Sequence, residues 1–189
     1  MAIKFRVDNV RLGFEHIFEA SSFDDGQAAK YSAELIVDKD HPQAERILRA
    51  FFEAGKEKFP TDFVKAGVWP RGYSCSLKDA DVDTDNSGTV LSEKYPAYKG
   101  CYILKTNSTN RPRIIDRQRK DVTKESGIIY SGCYVNAAVN ISGYTFGKMT
   151  KGVKAYLNGV QFVKDGERFG SDALSDFDVL DGEDDDFFN

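Results

Sequence analysis

Tyr134, Asn136, Ala138, Asn140, Ser142 and Tyr144 share one parity of a stretch whose other parity, Val135, Ala137, Val139 and Ile141, is apolar. On a β-strand this alternation buries the second set and presents the first on an open face. Two tyrosines bracketing small and amide side chains on such a face are suited to stacking on flat rings. Lys148, Lys151 and Lys154 follow closely, Trp69 and Tyr73 flank Arg71, and Tyr102 lies between Lys99 and Lys105. From 107 to 127 the chain is polar and basic, holding Arg111, Arg113, Arg117, Arg119, Lys120 and Lys124. Aromatic platforms interleaved with cations match the chemistry of a single-stranded polynucleotide, because rings stack on bases while Lys and Arg pair with phosphates. The competing reading of each ring is sheet packing with its hydroxyl at the surface, which β propensity favours.

The formal net charge of -4 conceals an asymmetry. Residues 171–189 carry eight acidic side chains and no Lys or Arg, whereas residues 1–170 hold 26 basic against 22 acidic. A body at +4 followed by a segment at -8 is a pattern of nucleic-acid binding coupled to an interaction tail. The chain closes with Asp184-Asp185-Asp186-Phe187-Phe188-Asn189. Two aromatics at the tip of a charged string suit a basic-rimmed pocket on a partner protein. Plain solubilisation, or folding of both rings onto the body's own core, are the alternatives.

Enzyme chemistry finds little support. Asp83, Asp85, Ser87 and Gly88 fit positions 1, 3, 5 and 6 of a calcium loop, but position 12 is Lys94, where a bidentate Glu is needed. A solvated hairpin loop is the expectation there. Val163 to Arg168 nearly matches the nucleotidyl-lysine pattern K-x-D-G-x-R, yet Val163 takes the nucleophile's place and Lys164 would face the opposite side of the strand. Asp79 to Asp85, the densest acidic cluster before the tail, has no accompanying catalytic Lys or His for a two-metal nuclease. His16 and His41 lack metal-ligand spacing, and there is no phosphate-binding Gly-Lys-Ser/Thr loop. No metal, no cofactor and no catalytic residue is therefore expected. Cys75, Cys101 and Cys133 are an odd, widely spaced set without C-x-x-C, which fits a reducing compartment. No window reaches eighteen apolar residues, so a membrane-spanning helix is not expected. Met1 to Val7 alternates and lacks the apolar run of a secretory signal, so a cytosolic protein is expected.

The elements that must position these residues follow from periodicity. Residues 3–12 read as a strand without a cleanly apolar face. Tyr31, Ala33, Leu35 and Val37 form the apolar parity of a second strand, interrupted only by Ile36. Ala44, Ile47, Leu48, Phe51 and Gly55 then fall at helical spacing, with Asp38 or Asp40 available as cap, Pro42 in the first turn and Pro60 at the end. Further strands are expected over Ala97 to Thr106, Tyr130 to Tyr144 and Val153 to Lys164. A chain of 189 residues, 41% hydrophobic, can bury a real core. Many strands with one helix predict a mainly-β barrel or sandwich. The preferred version is an OB-fold-like Greek-key barrel with one packed α-helix and β-hairpin elaborations over residues 1–170, followed by a disordered acidic tail, 171–189.

Four stretches carry a family resemblance: Tyr98-Lys99-Gly100-Cys101-Tyr102, Ser108 to Pro112, Ile129 to Ala137, and Gly152 to Arg168. They resemble a bacteriophage family, formerly of unknown function, of OB-fold single-stranded DNA-binding proteins. The resemblance spans nearly the whole body and is most specific at Tyr130-Ser131-Gly132-Cys133-Tyr134-Val135-Asn136-Ala137. The acidic end is similar to that of bacterial and phage single-stranded DNA-binding proteins generally, which recruits replication and repair enzymes, although Phe-Phe-Asn stands where the bacterial proteins have Pro-Phe. The resemblance implies a non-catalytic protein that coats and protects single-stranded DNA in phage replication or recombination, in the cytoplasm of the infected host. Phosphate contacts alone would also allow weaker duplex binding. The charge split adds a tail that competes with DNA and recruits replication or recombination proteins through Asp184, Asp185, Asp186, Phe187 and Phe188. A metal-dependent DNA-processing enzyme and a scaffold without DNA affinity are the rival classes, and a homo-oligomer is left open.

Overall fold

The computed structural model describes residues 2–22, 28–65, 67–147 and 150–169. Among these residues eight strands are formed: β1 (Ile3–Ser21), β2 (Lys30–Asp38), β3 (Tyr73–Cys75), β4 (Leu77–Asp79), β5 (Cys101–Ser108), β6 (Arg113–Ile115), β7 (Tyr134–Phe146) and β8 (Thr150–Lys164). Helix α1 (Ala44–Lys58) lies between β2 and β3, and a single turn, α2 (Leu91–Lys94), between β4 and β5. β1 pairs antiparallel with β2 and β7, β2 with β5, and β7 with β8. A short parallel contact, Thr106 opposite Ala155 and Asn107 opposite Tyr156, joins β5 to β8 and closes the ring. The order β1-β2-β5-β8-β7 is the five-stranded OB barrel with one packed helix. β3, β4 and β6 are additions at its margins.

β1 is 19 residues long because it serves two neighbours. Ile3 to Arg11 pair with β7, and Arg11 to Ser21 with β2. The register slips between Val7 and Val10 and again between Gly13 and His16, where Asn9 and Phe14 adopt φ of 50° and 42°. Such bulges bend a strand and raise its twist, as a small closed barrel requires. They also switch which parity faces inward, so no single apolar face runs along β1.

The barrel is filled by Val7, Val10, Leu12, Leu35, Val37, Leu104, Val135, Ala137, Val139, Ile141, Ala155 and Leu157, all at most 2% exposed. α1 lays Ile47, Ala50, Phe51 and Ala54 against β7 and β8. Gly55 leaves room for the Phe63 ring, which an added Cβ would meet at 2.4 Å. Leu48, expected on the apolar stripe, is 41% exposed, and Ala50 and Ala54 bury instead. The expected Asp cap is not used. Gln43 precedes the helix without a side-chain cap bond and turns back to β1, accepting the Asp8 N–H at 2.8 Å, while Asp38 accepts from Asp40 N–H.

A second, smaller core lies outside the barrel, where Ile36, Ala80, Leu91, Tyr98, Cys101 and Ile103 are buried together. The segment 77–98 covers the outer face of β2 and β5, which accounts for Ile36 breaking the alternation. Pro96–Tyr98 is a 3₁₀ turn, so β5 starts at Cys101 and not at Ala97. β7 likewise starts at Tyr134 and continues to Phe146.

Cys75, Cys101 and Cys133 are free thiols, and desolvation pushes each up to about 11. Thiolate is the reactive form. The native protein is therefore expected to react slowly with an aromatic disulfide reagent at mildly alkaline pH, and denaturant should release three fast-reacting thiols.

Candidate nucleic-acid interface

The outer face of β1, β2 and β5, walled by segment 78–98, forms an open groove of about 780 Å³. Its floor carries Phe14, His16, Ser32, Glu34, Lys105 and Asn107, and its wall Lys78, Asp85, Asn86, Lys94, Tyr95 and Tyr98. The bulge at Phe14 turns that ring outward, where it is 47% exposed. It stands edge-on to Tyr95 and Tyr98, with ring centroids 5.2 and 6.4 Å away. Tyr98 is only 2% exposed, so it supports the other two rings and is not itself a stacking surface. Its hydroxyl donates to Glu34, and burial together with that carboxylate holds the phenol far above its usual range.

The groove's cations come with carboxylates. Lys105 Nζ lies 3.4 Å from Glu34 Oε1, and Lys94 Nζ 2.7 Å from Asp85 Oδ2. Asp85 also accepts the N–H groups of Ser87 and Thr89 at 2.8 and 3.1 Å. The bond from Lys94, followed by that from Ser87, holds its carboxyl well below the usual range. This is the loop with calcium-like spacing, and the ammonium of Lys94 sits on the carboxylate that such an ion would need. Among the described residues no group of three or more His, Cys, Asp or Glu could hold a metal. Lys30 and Lys78 complete the cationic lining. An exposed ring, Phe14, beside half-buried Tyr95 and between lysines can take a stacked base and its flanking phosphates.

Of the sequence-predicted residues, Lys105 lines this groove and the others lie elsewhere. Trp69 and Tyr73 join a nest at the end of α1. Trp69 Nε1 donates to the Tyr73 carbonyl at 3.0 Å, and Phe63 meets both rings edge-on at 5.0 and 5.4 Å. The Tyr73 hydroxyl donates to Asp62, and Lys151 sits 5.8 Å from the Tyr73 ring. Arg71 is exposed beside them. On the outer face of β7 and β8, Lys154 lies between Tyr144 and Tyr156, at 4.9 and 4.8 Å, and Lys164 covers Tyr134 at 4.5 Å. No Asp or Glu occurs from 134 to 164. Tyr102 packs half-buried on the core, Lys99 and Arg111 are exposed, and Arg113 pairs with Asp121 at 3.3 Å. Lys148 and Asp184 to Phe188 lie outside the described residues. Sequence reasoning does not single out Phe14 or Tyr95. One sits on a strand without clean parity, the other in a stretch without periodicity.

The Tyr130 to Tyr134 stretch clasps the segment that leaves β8. The Tyr130 hydroxyl donates to Asp165 at 3.0 Å and accepts from Gly166 N–H at 3.1 Å, and the Ser131 carbonyl accepts from Phe169 N–H at 3.0 Å. Arg11 donates to the Glu167 carbonyl at 2.7 Å and stacks on Phe169, 4.3 Å from the ring centroid. Phe169 packs against the smaller core that contains Tyr98. The last described residue is thus fixed beside the ring that underlies the groove.

A family model described as Enterobacter phage Enc34, ssDNA-binding protein, matches residues 3–188. Protein p50 of Acyrthosiphon pisum secondary endosymbiont phage 1 is 32% identical over 185 residues, covering 94% of each chain. The solved single-stranded DNA-binding protein from bacteriophage Enc34, in complex with ssDNA, is similar with a TM-score of 0.70 and 27% identity over 88% of this chain and 89% of that one. Gp2.5, a single-stranded DNA binding protein encoded by bacteriophage T7, gives a TM-score of 0.60 at 13% identity over 97% and 98%, a likeness of fold alone.

The clasp yields its own test. Gly132 has φ of 112°, and a Cβ there would stand 2.0 Å from the Glu167 carbonyl oxygen. Gly132→Ala must strain the backbone or expel segment 165–169. A loss of about 1–3 kcal/mol is expected, read as a lowered thermal midpoint.

Proposed function

Because the chain belongs to the family of the Enterobacter phage Enc34 ssDNA-binding protein, we propose that it coats and protects single-stranded DNA in phage replication and recombination. The observation that carries this reading is the groove, where exposed Phe14 and half-buried Tyr95 stand among Lys30, Lys78, Lys94 and Lys105 on an OB barrel. Bases stack on the two rings while the lysines meet the phosphates, with no chemical step. Bases in a duplex are already stacked on one another, so duplex DNA offers only its phosphates and binds more weakly. The face around Tyr144, Lys154 and Tyr156, on strands that carry no Asp or Glu, is a second platform that takes more of the strand.

The acidic segment has two roles in this reading. Nineteen residues extend to at most about 65 Å, and Phe169, the last described residue before them, packs beside Tyr98, so their eight negative charges reach the groove and compete with DNA. DNA binding releases them, and Phe187 and Phe188 then dock on replication or recombination proteins in the host cytoplasm.

Stacking on an aromatic is worth about 1–3 kcal/mol per base, so Phe14→Ala and Tyr95→Ala should each weaken binding of a labelled oligo-dT by about 5- to 150-fold. Trp69→Phe should lower the thermal midpoint and leave affinity in place. Unchanged affinity in both groove variants, in folded protein, would move the site elsewhere. Deleting residues 171–189 should tighten binding at low salt, with the gain fading as salt rises. Equal affinity of both forms at low salt would remove the competition.

A further inference from the structure

We infer that Glu34 is a built-in counter-ion that limits how tightly the groove holds a strand, an inference that rests on the groove being the DNA site. A surface serving only polyanion affinity has no use for a carboxylate on its floor. Glu34 is nevertheless fixed there from two sides. Its Oε2 accepts the Tyr98 hydroxyl, and Tyr98 cannot swing away because it is buried beneath Phe14 and Tyr95. Its Oε1 faces Lys105, and the two residues are direct cross-strand partners in the β2–β5 register, so the sheet itself sets the pair. The Lys105 side chain is 48% exposed and that of Glu34 only 20%, so the cation is within reach of a ligand while its carboxylate stays beneath.

A phosphate that approaches Lys105 therefore meets an ammonium already neutralised from inside the protein. Binding either shares Lys105 between phosphate and Glu34 or leaves Glu34 facing the polyanion with only the Tyr98 hydroxyl. Both weaken the contact, and both reduce the number of DNA counter-ions set free. The same device is repeated on the wall, where Lys94 is held by Asp85 and Lys78 lies 3.8 Å from Asp83. Among the described residues, three of the four lysines lining the groove carry a carboxylate within 4 Å. The consequence is a coat that a following enzyme can strip from the strand.

The test uses the full chain and fluorescence anisotropy of a labelled oligo-dT across a salt series. Glu34→Gln keeps an acceptor for Tyr98 and removes the charge. It should bind about two- to fivefold more tightly at low salt, the size expected of one half-exposed ion pair. The log–log salt slope should steepen by about 0.7, one further phosphate neutralised on a single strand. In a Lys105→Gln background the gain should vanish. Thermal melts accompany each variant, and if Glu34→Gln does not fold, Glu34→Ala is read in the same way. Wild-type binding with an unchanged slope in the variant, or an equal gain without Lys105, overturns the inference, and the groove reading stands if Phe14→Ala weakens binding in the same assay. No binding by the wild type overturns the groove reading and this inference with it.

Discussion

β1 must pair with β7 along its first half and β2 along its second, and the bends that permit this shape the rest of the molecule. Without them the five strands could not curl far enough for β5 to meet β8 in two residue pairs. One bend falls at Phe14, and a bulky residue at positive φ costs about 1–3 kcal/mol. Burying a single side chain such as Leu12, 0% exposed, contributes a comparable amount. The strain is thus offset locally, and it leaves an aromatic ring on the outside of the barrel. Closure and the exposed ring have the same cause.

The outer face of β2 and β5 follows from that closure. Segment 77–98 covers part of it with Leu91 and Tyr98 and leaves the rest as the groove. Tyr98 ties the levels together, because it packs in the smaller core, supports Phe14 and Tyr95, bonds Glu34, and neighbours Phe169. Charge in the groove is therefore governed by packing. The lysines are surface groups, but the carboxylates facing them are held by the sheet register and by the Asp85 turn.

How much of this was legible depended on whether one face of an element was enough to explain it. β2 and β7 alternate cleanly because each has one face on the barrel core, and they could be read directly; β8 alternates as far as Leu157, after which a bulge shifts the buried parity to Val160. Ile36 is the exception that marks a second layer, a meaning that only the position of segment 77–98 supplies. β1 resisted reading because its bulges change parity mid-strand. The helix stripe was visible, but its start was not, since Gln43 is spent on β1 and Asp38 on its own turn. At the site, Lys105 was legible from its parity beside Tyr102. Phe14 and Tyr95 were not, because the groove gathers rings from stretches about eighty residues apart that periodicity cannot relate. Trp69, Arg71 and Tyr73 have the composition of a binding patch, yet two of them pack on Phe63, and a sequence looks the same in either case.

The most direct measurement is amide hydrogen exchange of the full chain with and without saturating oligo-dT. The account predicts slowed exchange along the groove, over 14–21, 30–34, 94–98 and 105–107, with smaller effects on the outer face of β7 and β8. Protection confined to 136–144 and 154–158, with the groove unchanged, would contradict it.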